Sequence, residues 1–185
     1  SVLHLGLTFV DPDYQRQRLP SLLYGLTAFL LLFKRGLRSF WISNVTQVPA
    51  VVGMVSRNYG DVYPHYAGVN RQTFTHLLLA RSIMKDHRAA FGVGEDADFD
   101  EAQQVIKDAY TGGSDELKKT FEEAPKHRDA TVNEFCADKL DYERGDDFLQ
   151  LGKCSLRSTL KFLGEKLPQG SFVQLSFRAS VLLFF

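Results

Sequence analysis

Residues 2–10, VLHLGLTFV, place Leu3, Leu5, Leu7 and Phe9 on one side and His4, Gly6, Thr8 and Val10 on the other. That period of two predicts a β-strand with one apolar face. Asp11-Pro12-Asp13 ends it, because proline cannot donate to a ladder and aspartate favours turns. Leu19 to Phe33 is almost continuously apolar and closes on Lys34-Arg35-Gly36. Pro20 suits a first helical turn, the basic pair a helix C-terminus and Gly36 the cap, so this run predicts a buried helix. At 15 residues it is shorter than the roughly 20 needed to span a bilayer, and its position after a strand does not suit a signal peptide. Arg38 to Val45 is rich in aromatic and β-branched residues and predicts a second strand. Pro49 then opens a short helix to Asn58, Gly60 ends it, and residues 61–66 are extended. Strand, helix, strand, helix, strand predicts an α/β layer with at least one parallel pairing.

Beyond residue 70 the pattern changes. Helices are predicted over Phe74–Phe91, about Phe99–Tyr110, about Asp115–Glu123, 129–143 and 155–165, with a loop at Gly92–Gly94. The last segment, Ser171 to Phe185, alternates and then becomes wholly apolar, which predicts a final strand inserted in a sheet. The expected organisation is a core over 1–70 and a helical extension over 71–185 that returns as a strand on the same domain.

Composition adds two points. With 22 basic and 22 acidic residues and 44% hydrophobic positions, the chain suits neither a histone-like nucleic-acid binder nor an acidic disordered segment. The neutral total conceals an asymmetry: residues 1–94 hold 10 Lys/Arg against 4 Asp/Glu, and residues 95–185 hold 12 against 18. A basic first half can receive an anionic ligand. Two cysteines, Cys136 and Cys154, make no disulfide framework or zinc motif, which suits a reduced, cytoplasmic compartment. The five histidines show no metal-ligand spacing. Asp96, Asp98 and Asp100 imitate a calcium loop but have Glu101 where glycine is required, so no metal site is expected. Asn44-Val45-Thr46 and Arg144-Gly145-Asp146 are short chance matches.

One constellation carries chemistry. The strand ending in Val10-Asp11-Pro12-Asp13-Tyr14, the loop Gln15-Arg16-Gln17-Arg18 and the apolar helix from Leu19-Pro20-Ser21 resemble motif A of the GCN5-related N-acetyltransferases. The next strand, Thr46-x-x-Pro49, the short helix, Gly60 and Val62-Tyr63 resemble that family's following strand–helix–strand unit. The resemblance covers residues 2–66 and implies a mixed GNAT-like sheet flanked by helices. It also implies acetyl-CoA, or another acyl-CoA, as substrate. A loop entering a helix offers free backbone N–H groups and the positive dipole end, which together bind pyrophosphate.

The resemblance implies cofactor contacts at Phe9, Val10, Gln15, Arg16, Gln17, Arg18, Leu19, Pro20, Ser21, Asn44 and Arg57. Pantetheine would insert where the first two strands splay. Arg16, Arg18 and Pro20 stand where the family usually has glycines, and proline has no N–H to give. The family often carries a tyrosine on the second helix; here Gly53 to Val55 holds none, and Ser56 and Tyr59 are the nearest hydroxyls. His4, on the polar side of the first strand, completes the catalytic candidates.

The implied reaction is direct acetyl transfer to the amine of a small molecule or protein, without nucleic acid or membrane. The acidic second half points to a cationic acceptor. The alternative is a non-catalytic GNAT-like binding module. The family's preceding strands and helices are expected to be absent, replaced by the final segment, or supplied by a second chain, including a second copy.

Overall fold

In the computed structural model, residues 2–6, 10–14, 19–113 and 115–166 are described. Six strands form one mixed sheet: β1 (Val2–His4), β2 (Phe40–Thr46), β3 (Gly60–Tyr63), β4 (Asp98–Asp100), β5 (Val105–Lys107) and β6 (Asp147–Cys154). Five α-helices accompany them: α1 (Leu19–Lys34), α2 (Pro49–Asn58), α3 (Phe74–Asp86), α4 (Ala130–Lys139) and α5 (Leu156–Lys166). The chain divides into two compact units, Ser1–Gly6 with Phe40–Lys153 and Leu7–Ser39 with Cys154–Phe185.

In the first unit the sheet runs β1-β2-β6-β5-β4, with β3 also paired to β6. β1 lies parallel to β2, with Leu3 opposite Ile42 and His4 opposite Ser43. β3 and β5 are both antiparallel to β6, and β4 is antiparallel to β5. Alternation along the inner strands divides the core by face. Ile106, Leu149 and Leu151 pack with Ala80, Ile83 and Met84 of α3, whereas Val105 and Phe148 pack with Val52 of α2 and with Val132 and Cys136 of α4. Successive residues of a strand point to opposite sides, so this split makes a helix–sheet–helix sandwich.

The early elements match the pattern that predicted them, except that β1 covers only Val2–His4 of the strand expected over 2–10, with Leu5, Gly6 and Val10 outside it. α2 starts on Pro49 and ends in Tyr59, whose N–H reaches the Val55 carbonyl. α3 is capped by Thr73: its hydroxyl accepts from the His76 N–H, and its own N–H donates to His76 Nδ1. The other ring nitrogen of His76 donates to the Asp61 carbonyl at 2.7 Å, so this buried histidine joins α3 to β3.

Three expectations are corrected. The helix expected over Phe99–Tyr110 is the β4–β5 hairpin. Asp100 Oδ1 accepts from the N–H groups of Ala102 and Gln103, each at 3.0 Å, and this turn outcompetes the helix preference of Glu101, Ala102 and Gln103. The helix expected over Asp115–Glu123 is a single 3₁₀ turn, Asp115–Leu117. α3 stops at Asp86, and a separate 3₁₀ turn covers Arg88–Phe91. The unpredicted β6 lies between β2 and β5, so the segment after residue 70 contributes three strands as well as helices. The strand expected over 171–185 lies outside the described residues, as do 7–9 of the first strand.

In the second unit α1 packs on α5. Gly25, Ala28, Phe29 and Leu32 are among its buried positions, and Thr159 and Phe162 among those of α5. Gly36 adopts φ 63° just past α1, a conformation glycine takes without strain. Ser155 begins α5, its hydroxyl accepting from the Ser158 N–H at 3.2 Å. Among the described residues no helix is long and apolar enough to cross a membrane.

Candidate functional site

The site begins with the register of β1 on β2. Because His4 stands opposite Ser43, their side chains share one face, and His4 Nδ1 lies 3.1 Å from Ser43 Oγ. The other side of the imidazole stacks on Phe91, with centroids 3.9 Å apart and planes at 30°. Phe91 is held there by the 3₁₀ turn after α3. Arg88 fastens that turn by donating to the carbonyls of Met84 and Glu95, both at 2.7 Å, and of Ala97 at 3.3 Å.

Over this pair opens a cavity of about 340 Å³, lined also by Ser82, Ile83 and His87. Burial pushes the His4 imidazole down to about 4, so the ring is neutral at neutral pH. It presents hydrogen-bonding nitrogens without a positive charge.

The second feature lies one residue further along β2. Past the His4–Ser43 pairing, Leu5 N–H donates to the Ser43 carbonyl at 2.8 Å, and β2 continues to Thr46. The next β2 residue, Asn44, is 4% exposed, and its Nδ2 has no hydrogen-bond partner among the described residues. A buried amide N–H without an acceptor costs about 1–3 kcal/mol and is uncommon in a settled interior.

Comparison with family models, curated proteins and solved structures returned no match. The remaining expected residues are therefore placed by geometry alone. Ser56 is buried on α2, its Oγ accepting from Gln150 Nε2 at 3.4 Å. Gln150 also donates to the Pro64 carbonyl at 3.0 Å. Tyr59 caps α2, with its Cβ beside Gly152 of β6. So Ser56 and Tyr59 sit against β6, whereas His4 sits on β1 with Ser43 and Phe91.

Arg57 is exposed on the last turn of α2; burial and then its charge hold His127 below its usual range, and hydrogen bonds from Thr131 do so for Asp129 with a smaller contribution from Arg57. A Cβ at Gly53 would meet the His127 ring at 2.6 Å, so His127 fills the space of a side chain at that position. Leu19, Pro20 and Ser21 form the first turn of α1, and Val10 precedes the 3₁₀ turn Pro12–Tyr14. Phe9, Gln15, Arg16, Gln17 and Arg18 lie outside the described residues. Among those that are described, no three His, Cys, Asp or Glu side chains gather as a metal site.

Ser43, Phe91 and His87 were not singled out from the sequence as members of a site. The available signal for Ser43 was its position on a strand expected to pair with that of His4. Nothing local marks Phe91, which reaches the site through the turn that Arg88 holds.

Proposed function

We propose that the chain is an acyl-CoA-dependent N-acyltransferase, transferring an acetyl group from acetyl-CoA to an amine. The observation that carries this reading is the buried Asn44 Nδ2, which has no hydrogen-bond partner among the described residues, on the β2 residue that follows Ser43. An extended ligand with amide groups, such as pantetheine, offers the carbonyl acceptor that Asn44 lacks. The same two strands are those between which the motif-A resemblance inserts that arm. His4 and Ser43 are paired across β1 and β2, as a neutral imidazole and a hydroxyl facing an open cavity. Acetyl transfer needs groups of this kind to accept the amine proton and return one to the leaving sulfur.

Binding is tested by thermal shift of the full chain with acetyl-CoA. A ligand at a hundred times its dissociation constant stabilises the folded state by about 2.7 kcal/mol, a shift of several degrees. Asn44→Leu keeps the volume and removes the orphaned amide. This variant is expected to melt at or above the parent temperature without ligand and to lose most of the acetyl-CoA shift. No shift of the parent at millimolar acetyl-CoA overturns the reading.

A second reading, a module that binds coenzyme A without turnover, is favoured by one observation: His127 fills the space beside Gly53, in the segment Gly53 to Val55 where the resemblance expects a tyrosine. Release of free thiol from acetyl-CoA with an amine panel supports the transferase. A thermal shift without thiol release supports the module.

A further inference from the structure

The cavity over His4 and Ser43 has a lining that selects among amines. Resting on the transferase reading, we infer that it is the acceptor pocket and takes a weakly basic amine on an aromatic body, an arylamine, rather than an alkylammonium. Its walls are apolar, from Val2, Leu79, Ile83, Ala90 and Phe91, and its polar groups are two hydroxyls and two imidazoles. No carboxylate is among the described lining residues. The nearby Asp86 is approached by Ser82 Oγ at 3.5 Å and does not itself line the cavity.

An ammonium entering this space meets no carboxylate among the described lining residues to offset the water it gives up there. An aromatic ring instead gains contact with the apolar walls, which include the stacked Phe91–His4 pair. The volume, about 340 Å³, is at the small end of ligand pockets and suits a one-ring compound.

The chemistry points the same way. The amine lone pair attacks the thioester carbonyl carbon, a C–N bond forms, and the C–S bond breaks with its electron pair left on sulfur. One N–H proton leaves the nitrogen through His4 and ends on the sulfur, giving amide and free thiol. Burial makes His4 a weak base. A weak base suffices for the acidic N–H of an arylamine addition intermediate. It does not suffice to strip an alkylammonium, whose pKa lies near that of lysine, about 10.

The test uses the full chain with 4-fluoroaniline and 4-fluorobenzylamine as probes, read by ¹⁹F line broadening, and acetyl-CoA thermal shift in parallel. Expected are saturable binding of 4-fluoroaniline with a Kd below about 1 mM and binding of 4-fluorobenzylamine at least tenfold weaker. Ser82→Phe, at an exposed helical position on the rim, is expected to weaken 4-fluoroaniline at least tenfold; Ala90→Leu serves the same purpose if that variant does not fold.

Equal binding of the two probes, or 4-fluoroaniline binding unaffected by the rim variant, overturns the inference. Loss of the inference with an intact acetyl-CoA shift leaves the transferase reading standing. Rim-sensitive arylamine binding without an acetyl-CoA shift keeps the pocket and overturns its role as acceptor site.

Discussion

Asp147→Asn is expected to be more stable than the parent at pH 8 by on the order of 4 kcal/mol, and equal to it near pH 4. Asp147 is 5% exposed at the start of β6, and burial pushes its carboxyl from 3.8 up to about 7. Tyr110 Oη lies 3.2 Å from both carboxylate oxygens. The Gln47 amide, oriented with its oxygen toward Tyr110 Oη at 2.6 Å, exchanges two 3.1 Å hydrogen bonds with the Lys119 backbone. In that arrangement the tyrosine proton goes to Gln47, and a protonated Asp147 donates to the tyrosine oxygen.

The sign follows from the raised folded value. Below pH 3.8 both states hold the proton and burial of the carboxyl is at its cheapest. Between 3.8 and about 7 the unfolded chain releases that proton and the folded chain retains it, so stability falls as pH rises, by about 1.4 kcal/mol per unit. Asparagine donates as the protonated acid does and does not titrate. His4, His65, His76 and His127 are all held below their ordinary value mainly by burial, so acid below about pH 6.5 destabilises both chains alike. The difference between the two proteins in urea unfolding at pH 4, 6 and 8 therefore isolates Asp147. A difference that does not change with pH would exclude a titrating Asp147.

That network also shows why part of the fold was hidden in the sequence. The first three strands and two helices were legible because their signals are local: alternation in β1, Pro49 at a helix start, Gly36 at a helix end. β6 has no such signal. Seven of its eight residues are buried, so it shows no alternation between apolar and polar positions, and it carries Asp147 and Gln150 inside the core. Tyr110 bonds to Asp147, and Ser56 and Pro64 accept from Gln150 Nε2, partners supplied by distant segments, while Gln150 Oε1 has none among the described residues.

The hairpin was hidden differently. Gln104, fully buried between its strands, turns its amide to donate to the Leu149 and Tyr63 carbonyls. A tertiary contact of that kind overrides the helix propensity of the local sequence. At the site, His4 could be chosen as a polar residue on a predicted strand. Its pairing with Ser43 needed the register, and its stack on Phe91 needed the turn that Arg88 ties.

Phe148→Ala is expected to destabilise the chain by about 3–5 kcal/mol, a large share of the roughly 5–15 kcal/mol that holds a domain of ordinary stability. Phe148 is 1% exposed on β6 and stacks on Phe135 of α4, with centroids 5.2 Å apart and planes at 13°. It packs with Val52, Val105 and Val132, so its ring joins α2, β5 and α4 on one face of the sheet. Truncation leaves a void that those neighbours, held by separate elements, cannot close together.

Phe148→Leu restores most of the volume without the stack and is expected to cost less than half as much. A double-mutant cycle with Phe135→Ala separates the ring–ring contribution, about 1 kcal/mol, from lost burial. Because β6 lies beside β2, which carries Ser43 and Asn44, loosening it is also expected to weaken the acetyl-CoA shift in Phe148→Leu by more than its Tm alone predicts. An unchanged shift in that variant would mean that β2 holds the site without support from β6.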